Sequence, residues 1–372
     1  SIILYWLSFS VDNGWLLLGP EFSIIFSVIS LSLTGFAIFY FIAEVMRYYE
    51  VVDFLFPKKK SKNVIGVINP KEEIRQTIIF SGHHDSALQF NLLRYLKIGY
   101  LILLFLGLGI FFLWIITSII NLILNIFGFI NVVYNVVFWS TIIAFPALTG
   151  LYFFTTPGPG ANKVPGAVDN LSAVAVVLGL GKYLKQHPDI IPKNTEIRLV
   201  SFGSEEAGLR GAYRYVAKHF DELNKYNCEV INMDGIMSNK EILVIDYEPT
   251  TRTKHSDEVV EKILKAAETV NVPIKRFGSG TVEKIVGQIS GGTDAAAFSK
   301  AKIKAAVYLS EQGKKVICFT DLFLFKALGH DTKIIGSPVF KIEKEKIIYG
   351  NAPIELEKNQ KIIVSKADIG KT

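Results

Sequence analysis

Cysteine is nearly absent. The 372-residue chain carries two, Cys228 and Cys318, so nothing in it demands a disulfide framework or an oxidising compartment. Histidine is scarce as well, with six residues, which makes any histidine inside a pattern informative. There is no internal repeat, no low-complexity tract and no signal-peptide pattern with a cleavage site. The chain starts on Ser1 without an initiator methionine, and the expectation is that it begins partway into its natural sequence. The largest absence is charge: from Ile98 to Phe154 no charged residue occurs.

What fills that uncharged stretch is bilayer-like. It is too long for one helix and suits a hairpin of two, "IGYLILLFLGLGIFFLWIITSII" and "VVYNVVFWSTIIAFPALTGLYFF", turning in "NLILNIFGFIN". A further uncharged run of spanning length, "FSIIFSVISLSLTGFAIFYFI", predicts a span over about residues 22–44. A mean hydropathy of +0.35 reflects these segments. A buried core hairpin would need shorter helices and polar faces. The first twenty residues are apolar but broken by Asp12, Asn13 and Gly14, and their pattern leaves open whether they span.

The basic residues mark a side. Arg47, Lys58, Lys59, Lys60 and Lys62 follow the first span, Arg94 and Lys97 precede the hairpin, and Lys163 follows it. The hairpin tip is uncharged, and the opposite end of the first span carries Asp12 and Glu21. By the positive-inside rule the basic side, with the polar domain, is cytoplasmic. These flanks account for much of the net charge of +6, so membrane lipid is the expected partner and no nucleic acid is needed.

The expected organisation is therefore an N-terminal membrane segment (1–49), a first domain piece (50–97), an inserted transmembrane hairpin (98–154), a second domain piece (155–332) and a β-rich tail (333–372). Because a hairpin crosses twice, both domain pieces share one side. They alternate helix and strand: "AVAVVLGLGKYLKQH" helix, "TEIRLVSFG" strand, "GLRGAYRYVAKHF" helix, "CEVINMDG" strand, "SDEVVEKILKAAETV" helix with Ser256 as N-cap, and "AAVYLS" strand. The fold class is α/β, a mixed and largely parallel sheet sandwiched by helices, plus transmembrane helices.

Chemistry in such folds collects at the carboxyl ends of strands. After the isoleucine-rich "IRQTIIF" comes "SGHHDSA"; if the strand continues, His83 and Asp85 share a face and His84 takes the other. After the hairpin comes "GAVDNLSA" with Asp169; after "IRLVSFG", Glu205 and Glu206; after "CEVIN", Asp234. Singly each is ordinary, since a Glu-Glu pair is commonly solvated and Asp-Gly is commonly a turn. Together at strand ends they make the inventory of a metal site with a spare carboxylate.

"SGHHDSA", "PGAVDNLSA", "FGSEEAGLRGAYRYV", "NMDG" and "GGTDAAAFSKAKIKAA" resemble, in order, the motifs of the co-catalytic zinc aminopeptidases, peptidase family twenty-eight of the metallopeptidases. The resemblance covers roughly residues 64–95 and 160–310, with the hairpin as an insertion. It implies a zinc exopeptidase-like fold, two zinc ions and a peptide substrate. By that resemblance His83 and Asp234 ligate one zinc, Asp85 supports His83, Asp169 bridges, Glu206 ligates the second zinc, and Glu205 is the general base. Asp294 corresponds to a residue lining the site. The family's last ligand is a histidine in a Tyr-His-Thr context; here the sole histidine after Asp294 is His330, in "ALGHDTKII", without that context. His187, His219 and His255 are expected to be structural or solvated.

Two functions follow: a membrane-anchored zinc aminopeptidase, or a non-catalytic or one-metal relative used for binding. Retention of both glutamates favours the first, because a binding module has no use for an unligated base. A carboxypeptidase is a lesser alternative, and oligomeric state is not legible.

Overall fold

A computed structural model describes residues 2–96, 99–127, 133–152, 164–236, 242–286 and 291–310, with three short strands between 341 and 354. The chain divides into a helical unit (1–45, 49–54 and 88–162) and a sheet unit (46–48, 55–87 and 163–372).

In the helical unit, α1 (Ile2–Asp12) packs on α2 (Pro20–Tyr40), which ends in a π-helical turn, Phe41–Met46. After the short α3 (Asn91–Leu96) come α4 (Gly99–Ile126) and α5 (Val133–Tyr152), which pack on each other. Segments Glu21–Glu44 and Phe105–Ile126 are long and apolar enough to cross a membrane, with mean hydropathies of 2.1 and 2.3; Val133–Pro146 is a shorter apolar helix. The eleven described residues of α1 rise about 16 Å, roughly half a hydrocarbon core.

This unit buries a cluster of polar side chains and exposes many apolar ones, beside a small apolar cluster of Val133, Tyr134 and Val137. Phe36, Ile102 and Trp139 are exposed, whereas Ser8, Ser23, Ser27 and Asn121 are buried. The Ser8 hydroxyl lies 2.7 Å from that of Ser23 and 3.1 Å from that of Ser27. Asn121 donates to Ser27 at 2.8 Å, and Asn125 donates to Ser23 at 2.9 Å. Such an inversion suits helices whose surroundings are hydrocarbon, where polar groups must find partners between helices.

The sheet unit runs β1 (Val64–Ile68), β2 (Gln76–His83), α6 (Ser172–Gln186), β3 (Thr195–Phe202), α7 (Arg210–Lys225), β4 (Glu229–Asp234), β5 (Ile242–Ile245), β6 (Tyr247–Glu248), β7 (Thr253–Lys254), α8 (Asp257–Thr269), β8 (Ile274–Phe277), α9 (Thr281–Val286), α10 (Ala295–Lys300) and β9 (Lys304–Ser310). The main sheet has the order β1-β3-β2-β4-β9-β5-β8. Strands β3, β2, β4 and β9 are mutually parallel, β1 and β5 are antiparallel to their neighbours β3 and β9, and β8 is parallel to β5. This is the mixed, largely parallel sheet expected.

Helices cover both faces because the central strands are apolar on both. Ile79, Val200, Val230 and Val307 pack with Tyr215 of α7 and Phe298 of α10. On the other face Phe80 and Leu199 pack with Ala173 and Val177 of α6, while Val244 and Ala306 meet Val259 and Val260 of α8. Ser256 caps α8, accepting from Val259 N as expected. Ala167–Gln186 is also long and apolar enough to cross a membrane, but Ala173, Val177 and Leu184 are buried on the α6 face toward the sheet. It is a sheet-covering helix. Lys341–Glu343 (β10), Lys346–Tyr349 (β11) and Ala352–Ile354 (β12) form a three-stranded antiparallel sheet.

Candidate metal centre

Strand register sets the site. β2 pairs with β3 up to His83 and Phe202, and with β4 up to Ser81 and Asn232, so His83 and Asp234 come level at adjacent strand ends. Strand alternation then acts as expected: His83 is buried, 1 % exposed, and His84 faces out. Gly82 permits the next step, because a Cβ there would lie 2.7 Å from the Cβ of Ala173. Its absence lets the first turn of α6 close on β2 and carries Asp169 to His83.

The turn bearing Asp169 is stapled to the end of β4. Asn170, fully buried, donates to Met233 O at 3.0 Å and accepts from Gly235 N at 3.1 Å. Ser172 Oγ accepts from Ile236 N at 3.0 Å, and the Asp169–Asn170 peptide is cis. The glutamate turn is held by Asp85. Its two carboxylate oxygens accept from the amides of Glu205 and Glu206, both at 3.1 Å. The resemblance gave Asp85 to His83; it does reach that ring, but its backbone carbonyl lies closer to His83 Nδ1 (3.1 Å) than its carboxylate does (3.6 Å). The same carboxylate therefore serves two partners, the His83 ring and the backbone of the glutamate turn.

His83 Nε2 faces three carboxylates: Asp169 Oδ1 at 3.1 Å, Glu205 Oε2 at 3.6 Å and Asp234 Oδ1 at 3.8 Å. Two sets of donor atoms close enough to share an ion arise, His83–Asp169–Asp234 and His83–Glu205–Glu206. Burial, then repulsion from Asp169, Asp85 and Asp234, pushes Glu206 up to about 7, with His83 drawing the other way. Burial likewise pushes Asp234 up to about 7 and Asp294 up to about 8, and holds Glu205 well above the usual carboxylate range. Burial alone would lower His83, but Asp169, Asp85, Glu205 and Asp234 outweigh it and raise its pKa. Among the described residues, both carboxylate oxygens of Asp294 are buried without a hydrogen-bond partner.

This is a surplus of negative charge on nitrogen and oxygen donors, and a divalent cation fits it. The donor set and its crowding suit zinc.

His187, His219 and His255 have partners outside the carboxylate cluster. His187 stacks on Tyr183 and His219 sits 3.0 Å from Glu222. His255 is buried between Glu248 (3.1 Å) and Ser299 (2.9 Å), not solvated as a polar helix end would allow. His330 lies outside the described residues. Sequence reasoning missed Glu248, whose isolated strand-end position carries no motif. It holds the turn before Asp294, accepting from Thr293 N at 3.2 Å.

Residues 153–321 match the model of peptidase family M28. The motif resemblance and this match agree. His83 and Asp85 fall upstream of the matched segment, separated from it in the chain by α4 and α5. The chain is also similar to aminopeptidase YwaD of Bacillus subtilis (strain 168), at 33 % identity over 135 residues, 36 % of this chain and 28 % of that protein. Among solved structures it is similar to an aminopeptidase from Aneurinibacillus sp. strain AM-1 (18 % identity, TM-score 0.38, 67 % of this chain and 39 % of that one). It is also similar to the zinc aminopeptidase BSAP from Bacillus subtilis (19 % identity, TM-score 0.38, 70 % of this chain and 44 % of that one). The chain thus spans 28 % of the curated relative's length and less than half of either solved protein.

Proposed function

We propose that the chain is a membrane-anchored zinc aminopeptidase whose catalytic unit is interrupted by a transmembrane hairpin and faces the cytoplasm. The observation carrying this reading is the convergence of Asp169, Glu205 and Asp234 on His83 Nε2, with Asp85 clamping both glutamate amides. His83 and Asp234 would hold one zinc, Glu206 the second, and Asp169 would bridge; His330 is the candidate for the second ion's nitrogen donor. When bound, the two ions would polarise the scissile carbonyl and lower the pKa of the attacking water.

The chain's own groups do the rest. Glu205 is buried, and its carboxylate is the proton acceptor for the attacking water and the donor to the departing amine. Asp85 fixes where that carboxylate points. Asp169, largely exposed at its tip, sits on the accessible side, where a peptide's free amino group would meet negative charge. The basic flanks Arg47, Lys58–Lys60, Lys62, Arg94, Lys97 and Lys163 support the cytoplasmic side.

Matched peptides with free and acetylated N-termini test the reaction, with metal content read by mass spectrometry. Cleavage of the free-amine set alone and two zincs per chain are expected. Equal cleavage of both sets excludes an aminopeptidase, and absence of both metal and cleavage supports a binding protein. Ready digestion of the sheet unit by protease added to intact cells would overturn the topology.

A further inference from the structure

The segment leaving the first long apolar helix, "MRYYE", enters the sheet unit's chemistry directly. Arg47 is buried, and its guanidinium donates to the carbonyls of Pro249 (3.1 Å) and Thr250. Tyr48 follows with φ 58°, a left-handed conformation uncommon for a bulky residue, so surrounding contacts must hold it. Those contacts are a cradle of glycines. A Cβ on Gly208 would lie 3.3 Å from Tyr48 Cδ1, and one on Gly292 would lie 3.0 Å from its Cε2. Gly291 and Gly208 themselves have φ of 87° and 96°. The Tyr48 hydroxyl accepts from Gly292 N at 3.2 Å.

The cradle joins two parts of the candidate site. Gly208 closes the turn that begins at Glu205, donating its amide to Glu205 O at 2.8 Å. Gly292 lies two residues before the buried Asp294. Burial and the negative charges of Glu205, Glu248 and Glu206 keep the phenol protonated, so its ring and hydroxyl form a neutral wedge among carboxylates. Glu248 braces the same glycine turn from the other side through Thr293 and is itself held by Thr251 (3.0 Å) and His255 (3.1 Å).

We propose that Tyr48 is a positioning residue of the site, setting the spacing between the Glu205–Glu206 turn and the Gly291–Asp294 turn, and that the short segment Met46–Tyr48 after the first apolar helix thereby supplies part of the proposed peptidase architecture. The catalytic half of this inference rests on the aminopeptidase reading. Removing the ring lets the glutamate turn drift, and a misplacement on the order of 1 Å costs about 10²-fold in turnover. Removing only the hydroxyl loses one hydrogen bond, worth roughly 5-fold.

The test uses the full chain in detergent, comparing wild type, Tyr48→Phe and Tyr48→Ala with a leucine p-nitroanilide probe, hydrogen exchange and thermal unfolding. Expected are a kcat loss of about 10²-fold for Tyr48→Ala with KM within about 3-fold, and near-rescue by Tyr48→Phe. Exchange should quicken in residues 204–210 and 291–296 in Tyr48→Ala while β2 and β4 stay protected. Unchanged exchange in both turns overturns the proposal, as does a Tyr48→Ala kcat equal to wild type. Equal damage in both variants with a general loss of protection overturns it too, since it marks Tyr48 as a plain structural residue. If wild-type protein cleaves no free-amine peptide, the peptidase reading fails by itself, and the exchange data still decide the spacing.

Discussion

The two units bury polar groups in opposite ways. The helical unit buries Ser8, Ser23, Ser27 and Asn121, which answer one another and the half-buried Asn125 as neutral donors and acceptors. The sheet unit gathers carboxylates around one imidazole and, among the described residues, leaves both carboxylate oxygens of Asp294 without a partner. Even within the sheet unit a balanced network exists, where Arg198 lies between Glu196 (2.6 Å) and Glu222 and also donates to Tyr215 at 3.1 Å. Satisfied polar groups specify packing. Unbalanced ones hold free energy in reserve for a ligand that supplies the missing charge.

The sharpest way to break this contrast is at the glutamate pair. Glu205→Gln should lower hydrolysis roughly 10³-fold with zinc content retained, whereas Glu206→Gln should lose metal. Two zincs and full activity in both variants would refute the assignment. Next comes proton linkage. Burial raises Asp234 and Glu206 to about 7, so each must shed a proton to take up a cation as pH falls below that value. Zinc affinity should therefore drop about 10²-fold between about pH 8 and about pH 6, with proton release detectable by calorimetry in buffers of different ionisation heat. An affinity independent of pH would remove the charge-surplus account.

Asp85→Asn should cost about 10- to 100-fold in kcat/KM, because the neutral amide can accept from one glutamate amide but not from both. Wild-type turnover in that variant would deny Asp85 its aiming role. The smallest effect belongs to the helical unit. Asn125→Leu removes bonds to Ser23 (2.9 Å) and Ser27 (3.1 Å) and should destabilise by about 0.6–2 kcal/mol with kcat unchanged. Thermal unfolding in detergent checks the first half of that statement, and a loss of turnover without loss of stability would contradict the second.

His83, Glu205, Glu206 and Asp234 could be singled out because each follows an apolar strand, so position along the chain gave position in space. Asp169 instead follows the uncharged stretch and enters a helix, and the apolar runs announced α2, α4 and α5. What stayed hidden depends on partners distant in sequence. The target of the Asp85 carboxylate is a pair of backbone amides 120 and 121 residues away, which no side-chain pattern encodes. Tyr48 sits in a short aromatic-charged stretch that reads as a membrane border, and its use appears only when three glycines from two turns surround it. The burial of His255 likewise depends on Glu248 and Ser299, neither of which its own neighbourhood predicts. Strand β1 is an exposed edge strand without the alternation that marks a half-buried one. Composition alone would even call α6 a span; the buried Ala173 and Val177 give it to the sheet.

Strands β2 and β3 hydrogen-bond in parallel from Gln76–Thr195 to His83–Phe202, yet α4 and α5 lie between them in the chain. Strands can pair only if they reach the same compartment, so the number of bilayer crossings between them must be even. If α4 crosses, a second crossing must return the chain, although Val133–Pro146 is the shorter apolar helix of the pair. A molecule in which one helix inserted without the other would strand His83 and Asp85 across the bilayer from Asp169, Glu205 and Asp234. If α4 and α5 span as proposed, the sheet would count membrane crossings during biogenesis: a miscounted hairpin would leave a chain unable to pair β2 with β3, and activity of the proposed peptidase would become a readout of correct insertion.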